Sequence, residues 1–209
     1  IKKVTKLYKK YLIYISKFES WFKMKKFVRK NTLFSLCGLN CYLCPMYNDK
    51  YCPGCGGGKG NQLCSIAKCS METKLYEYCY ECKSFPCKKY EGIDEYDSFI
   101  THKNRYKDIE LAKKIGIEKY NDVLKKKRKY LKILLENFNN GRKKTFFYLV
   151  INLLELKDIE NIMSQLKRKD VIKIDLNERS EIAIKMFQEV AVQKNIELKL
   201  RRKSKQLKK

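Results

Sequence analysis

The sequence predicts a mainly α protein, in which a loop-rich, cysteine-bearing module precedes a helical domain with one candidate short two-stranded pair. Three observations lead there. All ten cysteines fall between Cys37 and Cys87, and none lies in the 122 residues that follow. That stretch is crowded with proline and glycine and has little apolar periodicity. Beyond about residue 94, apolar residues recur at helical spacing.

The 209 residues divide into a basic amphipathic extension (1–31), a cysteine-rich metal-binding module (32–92) and a helical domain with a basic tail (93–209). In the extension, Val4, Leu7, Tyr8, Tyr11, Leu12, Ile15, Phe18 and Phe22 form a helical stripe with lysines opposite. Such a stripe more often faces a protein core than an anionic membrane surface. The chain begins at Ile1, and Met24 is a candidate natural start, which would make the first 23 residues incidental.

The module contains short helical turns around 63–73 and 85–91, separated by loops. The Gly56 to Gly60 run lacks the spacing of a phosphate-binding loop and reads as backbone slack between metal knuckles. In the body, Asp97 or Ser98 is expected to cap a helix reaching about Lys114, which Gly116 breaks. A second helix, about 117–139, presents Tyr120, Val123, Leu124, Tyr130, Leu131, Leu134, Leu135 and Phe138 on one face. Asn139-Asn140-Gly141 supplies its left-handed cap. Residues 143–154 are apolar nearly all round, the mark of a central buried helix. Ile159, Ile162, Met163 and Leu166 mark a short amphipathic helix. Residues 171–175 and 196–200 alternate, and they form the candidate strand pair. Between them, Asp175 and Glu178 start a helix through a capping box.

The charge is extreme, with 48 Lys and Arg against 23 Asp and Glu, a net +25. Such a field attracts polyanions, so nucleic acid is a possible partner. Lysines outnumber arginines forty to eight, however, and dedicated phosphate readers favour the bidentate fork of arginine. The composition also fits a coding bias toward A/T-rich codons. No apolar run is long enough for a membrane span. The longest near the N-terminus, Tyr11 to Ile15, is too short for an export signal. The expected location is therefore the cytoplasm, where thiols stay reduced and metal ligation is the default for so many cysteines.

The candidate ligands are Cys37, Cys41, Cys44, Cys52, Cys55, Cys64, Cys69, Cys79, Cys82 and Cys87. The C-x2-C pairs at 41/44, 52/55 and 79/82 have knuckle spacing, in which two thiolates converge on one tetrahedral ion. A module with so few aliphatic side chains cannot bury enough surface to hold itself. Structural zinc contributes roughly 10–16 kcal/mol per site in small peptides. Two four-thiolate sites use eight cysteines and leave two. His102, the only histidine, reads as a surface side chain near a helix start, with completion of one site as its alternative. The Cys37-x3-Cys41-x2-Cys44 spacing also occurs where radical-SAM enzymes hold a [4Fe–4S] cluster, but the helical remainder does not make the barrel which that class needs. Thiolates suit both zinc and iron–sulfur clusters, so both remain open. No catalytic constellation is visible.

Cys-Gly-Leu-Asn-Cys at 37–41, Cys-Pro at 44–45, Cys-x2-Cys at 52–55 and Cys-x2-Cys-x2-Phe-Pro-Cys at 79–87 together resemble a prokaryotic family known as domain of unknown function three-seven-nine-five. Gly-Arg-Lys-Lys-Thr-Phe at 141–146, Asn-Leu-Leu at 152–154 and Ile-Glu-Leu-Lys-Leu-Arg at 196–201 extend the likeness, which covers about residues 33–205. It implies small cytoplasmic proteins with a head that binds zinc or an iron–sulfur cluster, and it supplies no activity. The expected protein is a cytoplasmic metal-binding factor with structural zinc and a binding or adaptor role for an unknown protein partner. The alternatives are an iron–sulfur protein in electron transfer or redox sensing and, behind it, a zinc-knuckle nucleic-acid-binding factor.

Overall fold

The structure, a computed structural model, describes residues 27–61, 64–73, 76–168 and 170–203. The amphipathic stripe of residues 4–22 and the candidate start at Met24 lie outside the described residues. Among the described residues seven α-helices follow one another: α1 (Pro45–Asn48), α2 (Ser65–Glu72), α3 (Arg105–Ile115), α4 (Ile117–Asn137), α5 (Lys144–Leu153), α6 (Leu156–Arg168) and α7 (Leu176–Gln193). Four 3₁₀ turns punctuate the loops, at Cys41–Leu43, Cys79–Glu81, Lys88–Tyr90 and Val171–Lys173.

The body is built around α4, which packs against α3, α5 and α6, while α7 covers α6. Tyr120, Leu124, Leu131 and Leu134 of α4 are buried, as the one-faced stripe in the sequence requires. Every residue of α5 from Phe147 to Leu153 is buried, so this helix is the centre of the core. Its C-terminal carbonyls have no partners within the helix. Asn104 supplies them from α3's start, its Nδ2 donating to the oxygens of Asn152 and Leu153 at 3.2 and 3.1 Å. Lys127 of α4 donates to the Leu154 oxygen at 2.7 Å. That capping permits the abrupt turn from α5 into α6.

Three expectations for the body need correction. Asp97 and Ser98 do not cap α3, which begins at Arg105 with Asn104 before it. Asp97 is drawn instead to the C-terminal segment, accepting from the Arg201 amide at 2.7 Å and from its guanidinium at 2.9 Å. No strand pair forms among the described residues, where one isolated bridge joins Val28 to Gly57. Val171–Lys173 winds into a 3₁₀ turn because Asp170 adopts a left-handed conformation at φ 52° and reverses the chain. Ile196 and Leu198, in the segment expected to pair with it, pack against the helical core. Finally, α4 ends at Asn137 with Phe138 (φ −125°) after it, short of the expected residue 139, while the left-handed position falls at Gly141 (φ 88°) within the expected Asn139-Asn140-Gly141 segment. Asp175 caps α7 as expected, accepting from the amides of Asn177 and Glu178.

The cysteine-rich head has two hydrophobic attachments. Phe34, Leu43 and Tyr78 join the core of the body. Phe27, Leu36, Ile66, Ala67 and Tyr90 form a separate small core, with Cys37, Cys55, Cys79 and Cys87 packed against it. Phe27 and Arg29, which the sequence assigned to the extension, are thus integral to the head. The glycine run is not slack. A side chain at Gly56 (φ 84°) would meet the Arg29 Cγ at 2.5 Å, so the loop lies tightly over that arginine.

Candidate metal centre

The head places its cysteines where short turns begin or end. Cys44 precedes α1 and Cys64 precedes α2, while Cys41 and Cys79 open 3₁₀ turns. Pro45 fits the first position of α1, which needs no amide donor. At the helix starts, the amides of Met46 and Tyr47 favour a thiolate at Cys44, and those of Ile66 and Ala67 favour one at Cys64. Burial works the other way and dominates at both.

All ten cysteines are free. Among the described residues no three Cys, His, Asp or Glu side chains converge closely enough, as they stand, to enclose an ion. The thiols nevertheless gather in groups. Cys37 is central, because its charge raises the pKa of Cys41, Cys55, Cys64 and Cys79. Cys52 acts in the same way on Cys44. Cys69, Cys79, Cys82 and Cys87 line one cleft of about 60 Å³. The three C-x2-C pairs are therefore not three self-contained knuckles. Cys41 is influenced by Cys55, Cys37 and Cys44 together.

Burial pushes the Cys55 thiol up to about 11, opposed by Arg29, and pushes Cys79 up to about 12. Such thiols are neutral near pH 7, and a coordinated cation would deprotonate them outright. The donor set thus fits a thiophilic metal: crowded, half-buried sulfurs that cannot carry charge together without a cation.

Two arginines brace this region, and the sequence reading passed over both. Arg29 donates to the main-chain oxygens of Phe34, Cys55 and Glu77 at 3.0, 3.1 and 2.9 Å, and its guanidinium lies over the Tyr78 ring. Arg105 reaches up from α3 to the Cys37 oxygen at 3.1 Å and pairs with Asp94 at 2.6 Å. Burial would lower its pKa, but the charge of Cys37 and the bond to Asp94 prevail and raise it. A signal was available. In a chain with forty lysines, each of the eight arginines stands out as a place where a planar fork is needed.

Tyr90 was also missed. Its hydroxyl is buried beside the four-cysteine cleft without a hydrogen-bond partner of normal geometry, although it favours the thiolate form of Cys79. His102 is engaged elsewhere. Its Nδ1 lies 3.2 Å from the Ile93 oxygen and its Nε2 3.0 Å from the Ser98 hydroxyl. Burial and the charge of Arg105 lower its pKa. Both ring nitrogens thus have partners other than cysteine.

The fold and this site define a mainly helical protein with a loop-rich head that carries ten free cysteines, of which Cys37, Cys55, Cys79 and Cys87 pack against a small apolar core. Residues 33–92 match the family described as Protein of unknown function (DUF3795). That is the family which the cysteine motifs resemble. The match stops at the end of the head, so the motifs at 141–146, 152–154 and 196–201 lie outside it. No curated protein and no solved structure matches the chain. Among the described residues, no helix is long and apolar enough to cross a membrane.

Proposed function

We propose that this is a metal-binding protein of a reducing compartment, the cytoplasm, whose head is clamped by cysteine-bound ions and serves a binding or adaptor role. Zinc is the expected ion for that clamping role, held by four-thiolate sets drawn from Cys37, Cys41, Cys44, Cys52, Cys55, Cys64, Cys69, Cys79, Cys82 and Cys87. A bound zinc ion would contribute folding energy and keep its ligands deprotonated. One observation carries the reading: the head holds ten unpaired cysteines, four of which, Cys37, Cys55, Cys79 and Cys87, pack against a core of five buried apolar residues. So small a core, even with help from Phe34, Leu43 and Tyr78, is little apolar surface to hold a loop-rich module of about sixty residues.

The test is metal analysis of the purified full chain together with proteolysis after chelation. The expected result is bound metal, with the head becoming protease-sensitive once it is stripped while the helical body persists. A head that stays rigid and resistant in the stripped, fully reduced chain would overturn the proposal.

A further inference from the structure

We propose that the groove between α4 and α6 is a docking site for an amphipathic helix with acidic flanks, carried by a partner protein. The inference concerns the body and stands apart from what the head binds. α4 presents Lys126, Lys129, Tyr130, Ile133 and Asn137 to this groove, and α6 presents Glu160, Met163, Ser164 and Lys167. Both sets follow the i, i+3, i+4, i+7 spacing of a single helix face. The two faces border about 910 Å³, and a third helix packs between such faces as a ridge in a groove. From Lys126 to Asn137 the wall runs about 17 Å, or three turns of such a helix.

The floor is apolar and only partly covered. Phe138, Met163 and Leu166 belong to the main core. Tyr130 and Ile133 are half-buried, and Ile172, in the turn after α6, is 48 % exposed. The rim selects the partner. Lys125 and Lys132 of α4 are paired with Asp122 and Glu136. Lys126, Lys129 and Lys167 are exposed and pair with no carboxylate among the described residues. Of the groove's two carboxylates, Asp170 pairs with Lys173 at 3.0 Å, so three lysines face Glu160 alone. An acidic flank on the partner answers that excess. The chain's own amphipathic stripe does not, since residues 1–26 carry nine lysines and one glutamate. A second copy, at net +25, is repelled as well. Nucleic acid matches the charge, but Ile133, Met163, Leu166 and Ile172 offer its bases little to stack on.

The probe is a synthetic fluorescent helix of about fourteen residues, leucines on one face and glutamates flanking them, titrated into the full chain. Saturable binding that weakens with salt is expected. Lys126→Glu with Lys129→Glu should weaken it about tenfold or more, and so should Ile172→Asp at its already exposed site, with circular dichroism verifying the fold. Lys185→Glu with Lys199→Glu, exposed and outside the groove, should leave it within about twofold. No saturable binding overturns the proposal, as does equal weakening by the two pairs of reversals, which would reduce it to net charge. Equally tight binding by a peptide with glutamines in place of the leucines overturns it too. Three further results would give the groove to another occupant, and each refutes the partner helix. A single-stranded oligonucleotide that displaces the peptide and ignores Ile172→Asp points to nucleic acid. Self-association that Ile172→Asp abolishes points to a second copy. Protease protection of residues 1–26 that the same variant removes points to the chain's own extension.

Discussion

The guanidinium of Arg105 donates to the main-chain oxygen of Cys37 at 3.1 Å. A helix of the body thereby holds the first cysteine of the head. The same side chain pairs with Asp94 at 2.6 Å and is nearly fully buried. Arg105→Met should weaken the docking of head on body by on the order of 3 kcal/mol, since it leaves a carboxylate and a carbonyl without their donor. The effect sits toward the lower end of the range for buried pairs because Asp94 is 25 % exposed. Denaturant unfolding checks this, and Arg105→Lys should not restore the loss, because a lysine cannot bridge both acceptors in the same geometry. Unchanged stability in both variants would contradict the role.

A second expectation concerns pH. Burial pushes the Asp108 carboxyl up to about 6, opposed by the charge of Lys127. Its Oδ2 accepts from Asn40 at 2.9 Å, and Asn40 accepts from the Tyr120 hydroxyl at 2.9 Å. A carboxyl with a raised folded pKa binds its proton more tightly in the folded state. Stability from this group is therefore greatest below about pH 4, declines between about 4 and 6, and is flat above that. A rise of this size is worth on the order of 3 kcal/mol. Asp108→Asn should flatten this part of the stability profile, and the difference between variant and wild type isolates it from the titration of every other group. A difference that does not change between pH 4 and 7 would refute the assignment.

Asn152 ties the central helix to the head. It is 3 % exposed, and its Nδ2 donates to the oxygens of Leu43 and Tyr148 at 3.2 and 2.9 Å. Asn152→Ala strands the Leu43 carbonyl in the core and should cost about 1–3 kcal/mol. Calorimetry on the purified full chain measures it, and a loss within error of zero would show that water replaces the amide.

Replacing Cys79 or Cys82 by serine should loosen the head and leave the body folded. Cys79 packs against the small core of the head, while the helices of the body have their own larger one. Limited proteolysis is expected to cut first within residues 32–92, with the helical circular dichroism of the body largely kept. Full retention of metal stoichiometry in both variants would contradict a ligand role.

Most of the body was legible in the sequence. The stripe from Tyr120 to Leu134 and the all-round apolar run at 147–153 each specify a helix and its buried face through short-range periodicity. The failures came where local signals compete with distant partners. Asp97 is a good capping residue, but a guanidinium from 104 positions away claimed it. Residues 171–175 and 196–200 alternate like strands, yet one is curled by the turn at Asp170 and the other lies on helices.

By itself the sequence determined that ten thiols share one short segment and that a helical body follows. Composition and periodicity are local properties of the chain. Only the tertiary structure decided that Cys69 joins Cys79, Cys82 and Cys87 around one cleft, and that Arg29 and Arg105 both brace main-chain oxygens of the head. Those contacts join residues far apart in the chain. They depend on how the loops close over a common core, which no spacing within a single segment encodes.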